Sequence, residues 1–286
     1  MDRPSSSTNP FSIVQSRYLI LGTFLLASIA VGWIHGYLQN LQLLPWPKDD
    51  PIAIPVLAIA IDLVQAGVII WASRDYRIKL SGVFGPWPPT FSLPYAVLLV
   101  CSLLLFSLGS FLVLLRLVSI SFPDYAMRML QTAGDTRYPN LYGWLILFRT
   151  LISASFAEEL VFRGILLQRW GTKWGLREGL VGSSVLFGVL HFSNPVGLTV
   201  FGLVMGLLYL RTGSLWVPIL CHSLNNLMVA GLNWLSPATE AATLATTQQN
   251  WGLGVVMMVV AAPLLLQFVR RSWPQVGDEI PYLSGE

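Results

Sequence analysis

From Leu141 to Leu167 the chain is apolar over the length of a membrane-crossing helix, and inside that run stand Glu158, Glu159 and Arg163. About 20 predominantly apolar residues cross the hydrocarbon of a bilayer as a helix. A charge near the centre of such a helix costs about 3 kcal/mol on insertion scales, so ionisable residues at that depth face a bundle interior or a cavity and mark a candidate functional site. Helical geometry sorts the three. Glu159 and Arg163 are four apart, share a face and can pair. Glu158 points about 100° away and is left to face something else. The alternative is a charge cluster snorkelling from a helix end; it fits less well because Glu158 lies several residues inside the last apolar position.

The same apolar pattern recurs along the chain. Of its 286 residues 54% are hydrophobic and 11% charged, where soluble domains have about 25% charged, and mean hydropathy is +0.64. The expected fold class is therefore all-α, a polytopic membrane protein forming one integral membrane domain over residues 1–286. Eight spans are predicted: Tyr18–Leu38, Ile52–Ala72, Ser92–Val118, Tyr142–Gln168, Gly179–Phe192, Val196–Leu210, Trp216–Leu235 and Leu253–Val269. The fifth and sixth are short. Ser193-Asn194-Pro195 between them predicts a tight turn at membrane depth, which must be buried by protein. The connection from Ser119 to Leu141, with Pro123 and Pro139, has room for a short interfacial helix. Met1 to Ser16, polar and rich in Ser and Pro, is predicted to be a mobile leader.

Charge and cysteine usage narrow the class further. A formal charge of +3 with no basic aromatic patch gives no basis for nucleic-acid binding. Cys101 and Cys221 both lie in apolar runs and fit no disulfide or zinc pattern. With the N-terminus inside, Arg3, Arg17, Arg74, Arg77, Lys79, Arg169, Lys173, Arg177, Arg211, Arg270 and Arg271 fall on one side, against Lys48, Arg116, Arg128 and Arg137 on the other. That bias predicts both termini in the cytoplasm. No soluble domain fits between the spans and no eukaryotic targeting signal is evident, which points to a bacterial plasma membrane, with membrane lipids as constant partners.

Two of the three histidines lie deep in spans. Phe187 precedes His191 by four residues, and His222 precedes Asn226 by four, so each pair has the spacing of one helix face. A lone histidine in a membrane helix often only bonds a neighbouring helix, at about 0.6 kcal/mol. Depth argues for more. Counted at about 1.5 Å per residue from the helix ends, Glu158 lies about 15 Å in, His191 about 20 Å, His222 about 14 Å and Asn226 about 20 Å. Four costly groups at similar depth on three helices predict one shared cavity.

Glu158-Glu159-x-x-x-Arg163, Phe187-x-x-x-His191 and His222-x-x-x-Asn226, in that order on separate spans, resemble the three motifs of the CAAX prenyl endopeptidase and bacteriocin-processing family of intramembrane proteases. The resemblance covers a core of about residues 141–235. It implies a membrane-embedded endopeptidase with a conical active-site cavity among its C-terminal helices, in which Glu158 and His191 activate a water, His222 and Asn226 form an oxyanion hole, and Glu159, Arg163 and Phe187 support them. It further implies a membrane-associated substrate, peptide or protein, possibly lipidated or prenylated, and no required cofactor.

The residues themselves agree with water-based hydrolysis. No serine sits in a Gly-x-Ser-x-Gly elbow and no His-Glu-x-x-His helix is present. Ser223 cannot serve His222, because adjacent helical residues diverge. Two alternatives remain open from sequence. Glu158, His191 and His222 could hold a divalent metal such as zinc. The same buried Glu/His cluster could serve a proton-coupled transporter or a non-catalytic membrane scaffold.

Overall fold

The structure, a computed structural model, describes residues 9–16, 23–47, 50–132, 140–235 and 250–284. It is all-helical, with no strand among the described residues, and a helix occupies each of the eight predicted spans. These are α1 (Thr23–Asn40), α2 (Ala53–Asp75), α4 (Leu93–Ser121), a composite run from Asn140 to Trp174, α9 (Leu176–Leu190), α10 (Pro195–Thr212), α11 (Trp216–Leu235) and α12 (Trp251–Ser272). Among them α2, α4, α10 and α12 are each long and apolar enough to cross a membrane. Short helices fill the connections: α3 (Leu80–Phe84), α5 (Pro123–Thr132) in the predicted interfacial position, and α13 (Pro281–Ser284) near the C-terminus.

The composite run departs from the expected uniform helix. It consists of α6 (Asn140–Phe148), a π-helical stretch (Arg149–Ala154), α7 (Ser155–Glu159), a second π-helical stretch (Leu160–Leu167) and α8 (Gln168–Trp174). Hydroxyl side chains bond back along its first half. Thr150 Oγ1 donates to the Ile146 carbonyl at 2.9 Å, and Ser155 Oγ reaches five residues back to the Thr150 carbonyl at 2.8 Å. Such back-bonding competes with the i→i−4 ladder, and π turns recur at functional sites. Here they flank Glu158 and Glu159.

Close backbone approaches lock the bundle around this run. A Cβ on Gly188 of α9 would collide with the Pro195 carbonyl oxygen and Thr199 Oγ1 of α10; one on Gly109 of α4 would collide with the Gly254 carbonyl oxygen of α12. Small residues at such contacts let helices approach where lipid offers no hydrophobic driving force. Asn194 caps α10 through Gly197 N at 3.2 Å, and its Nδ2 donates to Ser107 of α4. In the turn predicted at Ser193-Asn194-Pro195, Asn194 is buried with its side chain satisfied by protein, while Ser193 is exposed.

The predicted mobile leader is a partial correction. Met1 to Thr8 lie outside the described residues, but Asn9 to Ser16 are docked. Phe11 and Val14 are fully buried. Arg169 Nη1 donates to the carbonyls of Phe11 and Ser12 at 2.9 and 2.8 Å. Phe11 also meets Tyr282 edge-on, so the two chain ends close over the end of α8. Two apolar anchors in an otherwise polar segment are enough to dock it.

Candidate active site

The three motifs do meet. A cavity of about 210 Å³ is lined by Arg149, Thr150, Ala154, Glu158, Phe187, His191, Leu198, Phe201, His222, Asn225 and Asn226. Glu158 Oε2 stands 3.9 Å from His191 Nε2 and 3.9 Å from His222 Nε2. This oxygen is buried and has no hydrogen-bond partner. A buried acceptor left unpaired costs about 1–3 kcal/mol, so it is poised for something that enters the cavity.

Each imidazole is oriented from behind. His191 Nδ1 lies 2.7 Å from the Phe187 carbonyl oxygen. A carbonyl only accepts, so Nδ1 carries the proton, and a neutral His191 turns its Nε2 lone pair toward Glu158. His191 also stands one residue beyond the end of α9, with φ −99° and ψ 69°. The helix-face relation read from the Phe187–His191 spacing is therefore replaced by a cap geometry. The ring still stacks on Phe187, centroids 4.5 Å apart.

His222 Nδ1 lies 2.8 Å from Glu159 Oε1. The same oxygen accepts from Arg163 Nη1 at 2.9 Å, and Arg163 Nη2 donates to the Gly202 carbonyl at 2.9 Å. Arg163 further lies 4.9 Å above the Phe187 ring. Glu159 thus does more than neutralise Arg163, because it also fixes the His222 ring. Sequence separation of 63 residues hid that contact.

Asn226 lines the cavity with its amide already engaged. Nδ2 donates to the Thr150 carbonyl at 2.7 Å and to Ser155 Oγ at 3.2 Å, which uses both of its hydrogens. Serving as an oxyanion donor would mean giving up the longer bond. Ser223 Oγ donates to the carbonyls of Leu151 and Ile219, in keeping with its exclusion as a nucleophile.

Sequence reasoning missed three residues here. Asn225 lines the cavity beside Asn226. Arg149, also in the lining, has its Nε 3.3 Å from Asp62 Oδ2 of α2, and Ser153 Oγ donates to the same oxygen at 3.0 Å. Asp62 and Arg149 were visible as charges in apolar runs, the signal that picked out Glu158. Glu158, His191 and His222 face one volume, yet among the described residues no group of three or more His, Cys, Asp or Glu is arranged to hold a metal ion.

Fold and site together define a class: an integral membrane protein with a Glu/His cavity enclosed among its helices. Residues 140–228 match the family model described as type II CAAX prenyl endopeptidase, Rce1-like. Human CAAX prenyl protease 2 is 31% identical over 146 residues, 43% of this chain and 42% of the relative. A putative membrane peptidase of Bacillus subtilis, YdiL, is 29% identical over 112 residues, 38% of this chain and 46% of the relative. The uncharacterized YyaK of the same bacterium is 39% identical over 85 residues, 26% of this chain and 28% of the relative. In each case the matched stretch spans less than half of the relative's length. No solved structure matches.

Proposed function

We propose that this protein is an intramembrane endopeptidase that cleaves membrane-associated, possibly prenylated, peptides with a water activated by Glu158 and His191. The observation that carries the proposal is Glu158 Oε2, buried, unpaired and 3.9 Å from two imidazole nitrogens. A water at hydrogen-bond distance, about 2.8 Å, from both Glu158 Oε2 and His191 Nε2 subtends roughly 90° between them, near its own H–O–H angle. It can donate one hydrogen to each, leaving an oxygen lone pair for a carbonyl carbon.

In the reaction, Glu158 takes a proton from water as the new C–O bond forms. The carbonyl oxygen becomes an oxyanion, and breaking the C–N bond returns the proton to the leaving amine. The oxyanion needs donors. His222 Nε2, held toward the cavity by the Nδ1 contact to Glu159, is placed to supply one; Asn226 supplies another if it releases Ser155. Glu159, Arg163 and Phe187 position these groups without touching substrate.

The natural membrane is proposed to be a bacterial plasma membrane with both termini cytoplasmic, from the Lys and Arg bias. The test is product analysis. Purified protein in lipid nanodiscs is incubated with farnesylated and unmodified membrane-anchored peptides, with and without chelator, and fragments are identified by mass spectrometry. Discrete fragments that persist in chelator are the expected result. Loss of cleavage in chelator, restored by zinc, would replace the carboxylate-and-water mechanism with a metal one. Proton-gradient-dependent flux without fragments would make the same cluster a transport site.

A further inference from the structure

A second cavity, about 470 Å³, shares no lining residue with the candidate active site. Leu166, Leu186 and Leu190 supply apolar walls, and Arg169, Trp170, Lys173 and Trp174 of the α8 end line it as well. The charge there is one-sided. Arg169 donates to two backbone carbonyls, Lys173 Nζ sits 5.1 Å over the Trp174 ring, and among the described residues neither cation has a carboxylate partner. Trp170 and Trp174 lie with ring centroids 5.2 Å apart.

Indoles gather at the membrane interface, where one end of the ring is apolar and the other wet. Lys and Arg at the same level attract anionic headgroups, each strengthening binding about fivefold. An apolar slot running from such a rim suits an acyl chain. We propose that this groove is a binding site for an anionic phospholipid, with its phosphate on Arg169 and Lys173 and a chain against Leu166, Leu186 and Leu190. The site also adjoins the active-site cavity. Phe162 lines the groove and meets Phe187 edge-on at 5.0 Å, and Phe187 carries His191. This inference stands independently of the peptidase reading.

Native mass spectrometry of the purified full chain, equilibrated with mixed phosphatidylglycerol and phosphatidylcholine, tests it. Wild type should retain phosphatidylglycerol preferentially. Lys173→Gln, at an exposed position, should cut that preference about fivefold, and Lys173→Glu further. Arg270→Gln makes the same charge change at an exposed cation outside the groove and should leave it unchanged. No preference in wild type, or an equal loss in Arg270→Gln, would overturn the proposal in favour of unspecific surface charge. Displacement of the lipid by equimolar farnesol would overturn it in favour of a channel for a substrate's isoprenoid chain.

Discussion

Two arginine–carboxylate pairs stand in the apolar helices around one cavity, and they are built differently. On the inner wall Arg163 and Glu159 meet at 2.9 Å with side chains 2% and 0% exposed. Around them stand His222, the Gly202 carbonyl and the face of Phe187, while Glu159 Oε2 is buried without a hydrogen-bond partner. At the cavity lining Arg149 and Asp62 meet at 3.3 Å with side chains 32% and 13% exposed. Among the described residues only Ser153 joins them. The inner pair lies within one helical run and inside the family-matched core, while the outer pair ties that core to α2, beyond it. Burial decides what each can do. A fully buried pair fixes positions, because breaking it strands a charge; the longer, partly exposed pair is held less tightly.

The comparison breaks most readily at Arg163. Arg163→Ala leaves the Glu159 carboxylate in a dry site without its cation, a loss of about 3–5 kcal/mol. Thermal unfolding in detergent should show it as a large drop in midpoint or as lost monodisperse yield. A variant as stable as wild type that merely turns over slowly would end the distinction between the two pairs. A smaller loss is expected from Gly188→Ala, about 1–3 kcal/mol, since the new methyl meets the Pro195 carbonyl and Thr199. Gly143→Ala, with nothing within 4 Å of the added carbon, is its control and should be neutral or slightly stabilising. The smallest effect belongs to the lining pair. Asp62→Asn should cost about 0.2–1 kcal/mol in the same melts, and a loss as large as that of Arg163→Ala would make the two pairs equivalent.

Much of this was legible because cost is legible. Apolar runs of membrane length fixed the helices, and carboxylates inside them fixed where to look. The division between Glu158 and Glu159 followed from four-residue spacing to Arg163. What escaped was long-range or local in ways spacing cannot carry. The Glu159–His222 bond joins residues far apart in sequence. The end of α9 just before His191 lies next to the Asn194-Pro195 start of α10, a turn visible in the sequence whose reach back to the histidine is not. Hydroxyls of Thr150 and Ser155 bond back to carbonyls along the first π stretch, which no apolar periodicity encodes, and the second, Leu160–Leu167, contains no hydroxyl at all. Asp62 and Arg149 were within reach, since the reasoning that singled out Glu158 applies equally to them.

The central claim is that Glu158 is the base that activates water. Glu158→Gln preserves size and hydrogen bonding but cannot take a proton, so it tests the claim with little disturbance to the Glu159–Arg163–His222 wall. The measurement is single-turnover cleavage of an accepted peptide by monodisperse wild-type and variant protein, with substrate binding measured in parallel. A fall of about 10²–10⁴ in rate, with affinity and thermal midpoint essentially unchanged, is the predicted result. Near-normal cleavage by Glu158→Gln would contradict it and pass the role of base to another group.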